Sequence, residues 1–126
     1  MSAKKNGSIA PKTAETLKFR GYLASPILAG RQWVTVRLKD ERKFYSVGST
    51  ITLLDSSSGK SFGKAKILEV TESTLGKVPH NLEGNQSFRD LDAMKHMYTT
   101  YYGNNVRFAS PVEIVRFGLV CSCSNK

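Results

Sequence analysis

The sequence predicts an α+β domain in which short strands outnumber two helices. Three observations predict it. Apolar residues alternate with polar ones over residues 33–38. Phe88, Leu91, Met94, Tyr98 and Tyr101 recur at three- and four-residue spacing and end at Gly103. Between these segments lie short turns rich in Gly, Ser and Asn, which punctuate strands and helix ends. A chain of 126 residues falls in the range of one domain, with enough length for a real core. The expected division is a disordered basic arm over residues 1–13 and a single domain over 14–126.

The arm carries Lys4, Lys5 and Lys12 among Gly, Ser and Asn, a composition too polar to bury. Residues 17–19 form a short first strand. Residues 22–29 suit a short helix, with Pro26 in a first-turn position where its missing N–H is not needed. Gly30 is the expected stop, because glycine takes the left-handed conformation without steric cost. Over 33–38, Val34, Val36 and Leu38 share one face, while Trp33, Thr35 and Arg37 share the other. That second face reads either as the solvent side of an antiparallel strand or as the wall of a cleft.

Residues 39–43 are a charged turn, and Val47-Gly48-Ser49 signals another before a strand over 50–54. Residues 55–60, Asp-Ser-Ser-Ser-Gly-Lys, are a hairpin loop by composition. The returning strand spans 62–72, and Gly63 inside it marks a bulge or a barrel corner. Residues 75–86 form a loop with Gly76, Pro79 and Gly84. Ser87 then heads a helix over 88–102, with Asp90 three residues on, close to a capping box. The last strand covers 112–120. The order is β-α-β-β-β-α-β, without an internal repeat.

Nineteen Lys and Arg against ten acids give a net charge of +9 and a pI near 9.8. Such an excess favours a polyanionic partner, most commonly RNA or DNA; a charge that serves solubility alone is the plainer alternative. No apolar run approaches the ~20 residues of a membrane span, and no strongly basic amphipathic helix points to a membrane surface. No membrane partner is expected. Residues 1–13 lack the apolar core of a signal peptide. Cys121 and Cys123 are two apart, a poor disulfide geometry in an extended segment. With only His80 and His96 besides, a structural zinc site is poorly supported, and no cofactor is expected. The expected compartment is the cytoplasm, with nucleoid or nucleus the alternative for a DNA ligand.

Ser58-Gly59-Lys60-Ser61 resembles the tail of a phosphate-binding P-loop, but position 54 is Leu where that motif needs Gly. Asn6-Gly7-Ser8 and Asn85-Gln86-Ser87 fit a glycosylation pattern that a cytoplasmic chain does not use. No nucleophile triad is present. His80 follows Pro79 in the long loop and is either simply exposed or near a pocket. Tyr98, Tyr101 and Tyr102 are able to stack on bases, although helical spacing favours core packing for Tyr98 and Tyr101. Trp33, beside the polar strand positions, is the favoured aromatic for ligand contact.

The run from Ile27 to Arg37, Ile-Leu-Ala-Gly-Arg-Gln-Trp-Val-Thr-Val-Arg, resembles the signature of the ASCH domains, small barrels of the PUA-like superfamily linked to RNA. Their pattern is roughly G-x-K-x-x-E-x-R. Gly30 and Arg37 match it, Gln32 stands at the Lys position and Thr35 at the Glu position. The Thr form is similar to one branch, the small bacterial N4-acetylcytidine amidohydrolases. Val47-Gly48, the helix ending near Tyr102-Gly103, and Val115-Arg116-Phe117 extend the likeness over roughly residues 17–120.

The resemblance implies a small, mostly antiparallel PUA-like β-barrel with flanking helices. It also implies a cleft between the signature strand and the segment before the late helix. In the amidohydrolase branch a Lys, a Thr and a later Glu cleave the acetyl amide. Here Thr35 keeps the Thr. Glu83 is the candidate acid, although a gapless alignment from the late helix puts Gln86 at that place. Gln32 carries no charge and serves neither as nucleophile nor as base, which argues for binding over hydrolysis.

The expectation is therefore a nucleic-acid-binding module, for RNA or a nucleotide before duplex DNA. Arg31 and Arg37 hold phosphate or a base edge, Trp33 stacks on a base, Gln32 and Thr35 hydrogen-bond a base edge, Lys39 belongs to the same binding set, and the Lys-rich arm adds non-specific attraction. One alternative is an enzyme, either an amidohydrolase of N4-acylated cytidine using Thr35 and Glu83, with Lys39 or Lys18 replacing the lost Lys, or a ribonuclease. A second alternative is a regulatory module that binds a protein partner.

Overall fold

A computed structural model describes residues 11–121. Among them are seven strands: β1 (Lys12–Thr13), β2 (Thr16–Phe19), β3 (Val34–Leu38), β4 (Lys43–Phe44), β5 (Thr50–Asp55), β6 (Ser61–Thr74) and β7 (Pro111–Cys121). Two α-helices accompany them, α1 (Ala24–Leu28) and α2 (Leu91–Tyr102). Five strands form one sheet in the order β2-β5-β6-β7-β3. The β2–β5 pairing is parallel, and the other three are antiparallel. The class is α+β, as expected. Lys12 and Thr13, expected to belong to a disordered arm, instead pair in parallel with Lys43 and Phe44. Residues 1–10 and Cys123 lie outside the described residues.

The sheet curls on itself. Phe19 on β2 meets Phe117 on β7, three places away in the sheet, with ring centroids 5.9 Å apart. Leu17, Phe19, Ile51, Leu53, Ala65, Ile67, Val115 and Phe117 fill the inside of the curl, with Ile27 of α1 among them. The turn of the sheet is helped by a bulge where β5 and β6 pass Gly63, at the register shift between Leu53 and Leu54. The barrel is not closed by a strand ladder. Its two edge strands, β2 and β3, are bridged by a side chain instead. Arg37 Nη2 donates to the Lys18 carbonyl at 2.6 Å, and the Arg37 guanidinium lies 4.7 Å from the centre of the Phe19 ring.

A second core lies outside the curl. Val36 and Val112 turn outward and pack with Leu75, Val78, Met94, Tyr98 and Val106. The α2 helix therefore covers the outer face of β3 while the barrel interior covers its inner face. This buries Val34, Thr35 and Val36 in succession and removes the solvent-side reading of Thr35.

The α2 helix starts at Leu91, three residues later than its periodicity suggests. Phe88 is tied into the preceding loop, where its N–H donates to the His80 carbonyl at 2.9 Å and its carbonyl meets His80 Nδ1 at 2.9 Å. Asp90 becomes the cap itself, accepting the Ala93 N–H at 2.8 Å. The apolar stripe is also narrower than expected. Met94 and Tyr98 are buried, but Tyr101 is 41% exposed. No helix among the described residues is long and apolar enough to cross a membrane.

Candidate ligand cleft

The gap between the edge strands is the candidate site. A cleft sits between β2 and β3 and is walled by α2 and the loop before it. Three local features of the sequence build it. Gly30, at φ +79°, ends α1 and turns the chain so that the Arg31 N–H donates back to the Pro26 carbonyl at 2.8 Å. The chain then enters β3 through Gln32. That side chain is 6% exposed, and its Nε2 donates to the Val34 carbonyl at 3.3 Å. Thr35 is equally buried, and its hydroxyl accepts Arg37 Nε at 3.0 Å.

The opposite wall is placed by Gly84. Its φ is +83°, and a Cβ there would come within 2.5 Å of the Trp33 indole. Its carbonyl accepts the N–H groups of both Trp33 (2.8 Å) and Val34 (3.0 Å). Only glycine permits both the backbone turn and the indole's close approach. This docking sets Asn85 and Gln86 against the cleft. Gln86 Nε2 is held in turn by the Tyr22 hydroxyl at 3.1 Å.

Aromatic rings complete the lining. Tyr98 donates its hydroxyl to the Val36 carbonyl at 2.7 Å and stacks on Tyr102 with centroids 5.8 Å apart. Tyr101 stands edge-on to Tyr102 at 5.0 Å, and the Arg20 guanidinium lies 5.0 Å from the centre of the Tyr101 ring. Burial pushes the Tyr98 and Tyr102 hydroxyls above their ordinary pKa of 10.0, more than the nearby Arg37 lowers them. Both hydroxyls keep their protons near neutral pH.

Of the residues singled out in the sequence, Gln32, Thr35 and Arg37 come together in the cleft, and Lys18, one of the two lysines offered in place of the lost one, lines it too. Arg31, Trp33, Lys39 and Glu83 do not line it. Arg31 is exposed just past the Gly30 turn. Trp33 precedes β3, and its indole is spent on Gly84. Lys39 lies beyond the cleft, paired with Glu72 at 2.9 Å and Glu113 at 3.7 Å. Glu83 is exposed on the loop, and Gln86 takes the place facing the cleft. Arg37 turns much of its donor set onto the barrel itself. Sequence reasoning passed over Arg20 and Asn85. Their only signal is position, one just past a strand and the other just past a loop glycine.

The lining thus holds Lys18, two guanidinium groups, three carboxamides, a threonine hydroxyl and several aromatic rings. It includes no carboxylate among the described residues. No group of three or more His, Cys, Asp or Glu side chains that suits a metal comes together among the described residues.

No protein-family model matches the chain, and no curated protein is similar to it. Solved structures are similar in fold. A DUF984-family protein from Enterococcus faecalis V583 superposes with a TM-score of 0.68 at 12% identity, over 94% of this chain and 86% of that one. An ASCH domain from Lactobacillus crispatus JV V101 gives 0.65 at 15% identity, over 90% and 82%. The ASCH protein of Zymomonas mobilis gives 0.55 at 13% identity, over 84% and 66%. With these neighbours, the chain has the ASCH-domain fold.

Proposed function

We propose that the protein binds RNA or a nucleotide, with one base held in the cleft between β2 and β3. The observation that carries this reading is the chemistry of the lining. Gln32, Asn85 and Gln86 each bring a carboxamide that both donates and accepts, the pairing that the edge of a nucleobase requires. Aromatic faces beside them suit a flat ring. Arg20, at the mouth, suits a phosphate. The net charge of +9 adds long-range attraction to a polyanion.

The same lining weighs against hydrolysis. Amide cleavage needs an activated nucleophile or water and a proton donor for the leaving amine. The Thr35 hydroxyl faces a cation, Arg37, at 3.0 Å rather than a base. We place this binding in the cytoplasm, where the ligand is RNA or its nucleotides.

Titration of labelled single-stranded RNA at two salt concentrations tests the reading. Affinity is expected to fall steeply as salt rises, since neutralised phosphates release counterions. Arg20→Ala is expected to weaken binding by roughly 1–3 kcal/mol, the scale of a lost charge-assisted hydrogen bond. No binding at low salt, or binding indifferent to both salt and Arg20, overturns the proposal. Tighter binding to duplex DNA moves the partner to DNA. Turnover of N4-acetylcytidine that disappears in Thr35→Ala puts the hydrolase first.

A further inference from the structure

Beyond the cleft mouth lies a second, shallower hollow, lined by Arg20, Gly21, Tyr22, Ser56, Ser57 and Tyr101. It shares Arg20 and Tyr101 with the cleft. Resting on the proposed function, we infer that the ligand is a strand and not a lone nucleotide. One base enters the cleft, its neighbour lies in the hollow against Tyr22 and Tyr101, and the phosphate between them sits on Arg20.

Two exposed rings motivate this. Tyr22 is 59% exposed and Tyr101 41%, yet neither is loose. Tyr22 is held by Gln86 Nε2 at 3.1 Å. Tyr101 is held between Arg20 and the edge of Tyr102. An aromatic face already fixed in place loses little freedom when a base stacks on it. Stacking also tolerates any base, because every base has a flat face.

Arg20 stands between the two spaces. Its guanidinium rests on the Tyr101 ring, an arrangement that leaves in-plane N–H groups able to reach a phosphate. The acid beside the hollow, Asp55, lies against Gly21 and keeps its charge, with one of its oxygens occupied by its own turn. Its carboxylate accepts the Ser57 N–H at 2.8 Å and the Ser57 hydroxyl at 2.7 Å. The Tyr22–Gln86 bond links the two subsites, since Gln86 lines the cleft while Tyr22 walls the hollow.

The test is calorimetric titration of the full chain with the four ribonucleoside 5′-monophosphates and the four homopolymeric RNA trinucleotides. For the preferred base, the trinucleotide is expected to bind at least about tenfold more tightly than the monophosphate. Tyr22→Ala is expected to bring that ratio to within about twofold, and Tyr22→Phe, which keeps the ring but loses the Gln86 bond, to leave a ratio between those of Tyr22→Ala and the wild type. A wild-type trinucleotide no tighter than the monophosphate overturns the inference and leaves the proposed function standing. A ratio unmoved by Tyr22→Ala overturns it as well. Failure of every nucleotide to bind overturns both.

Discussion

Arg37 is the residue on which barrel and cleft both depend. Its Nε reaches Thr35, its Nη2 reaches the Lys18 carbonyl, and its plane covers Phe19. One planar group with several donors spans a seam that no backbone ladder closes, and a lysine point charge does not reproduce that fork. Arg37→Ala is expected to cost about 2–3 kcal/mol in urea unfolding, the scale of charge-assisted hydrogen bonds. Arg37→Lys is expected to recover less than half of it. An alanine variant as stable as the wild type would mean that β2 and β3 hold together without the bridge. Gly84 is the second such residue. Gly84→Ala forces a Cβ into the Trp33 indole at a backbone angle that favours glycine. A loss of about 1–3 kcal/mol is expected from strain of this kind. Because Trp33 is the single tryptophan, a shift in its fluorescence should accompany the loss.

At the scale of elements, α2 owes its start to Asp90 and its seat to Tyr98. The Ala93 N–H, the largest influence on Asp90, holds its carboxyl below the ordinary value of 3.8. A carboxylate with a depressed pKa contributes stability that is present above the ordinary value and lost as pH falls through the depressed one. Asp90→Ala is therefore expected to lower the melting temperature at neutral pH. The gap from wild type should close as pH falls below 3.8. Thermal melts from pH 7 to pH 2 check this, and a gap independent of pH would show that the charge on the cap does not matter. The later start of α2 has a related cause. The bonds between His80 and Phe88 close the loop ahead of the helix, so Phe88 serves the loop although its side chain fits the helical period.

For the whole molecule, the tyrosines set an alkaline limit. Burial raises the pKa of Tyr45, Tyr98 and Tyr102 above 10.0. The unfolded chain loses these protons near 10.0 while the folded chain keeps them. Their contribution is thus fully present below pH 10.0 and is lost as pH rises above it. Unfolding free energy is expected to fall steadily above pH 10, and Tyr98→Phe should flatten that slope. The same variant should cost about 1 kcal/mol at pH 7, through the lost bond to Val36. An unchanged slope would point to lysine deprotonation as the cause.

Much of this molecule was legible in its residues. Alternation over 33–38, the glycine stops at Gly30 and Gly103, and the bulge at Gly63 depend on local backbone and side-chain geometry. Such geometry is written in neighbouring residues, so the α+β class and most element positions follow from it. The pairing of Gln32, Thr35 and Arg37 was also legible, because two of them alternate on one strand and the third enters it. The roles of Trp33, Lys39 and Glu83 were not. Trp33 shares the parity of Thr35, but Gly84, fifty-one residues on, draws its indole away from the cleft. Lys39 is claimed by Glu72 and Glu113, which arrive from β6 and β7. Which edge strands meet, which loop faces them, and whether an arginine binds a ligand or closes a barrel are decided by contacts between residues far apart in the chain. Periodicity carries no record of those contacts, so only the tertiary structure decided them.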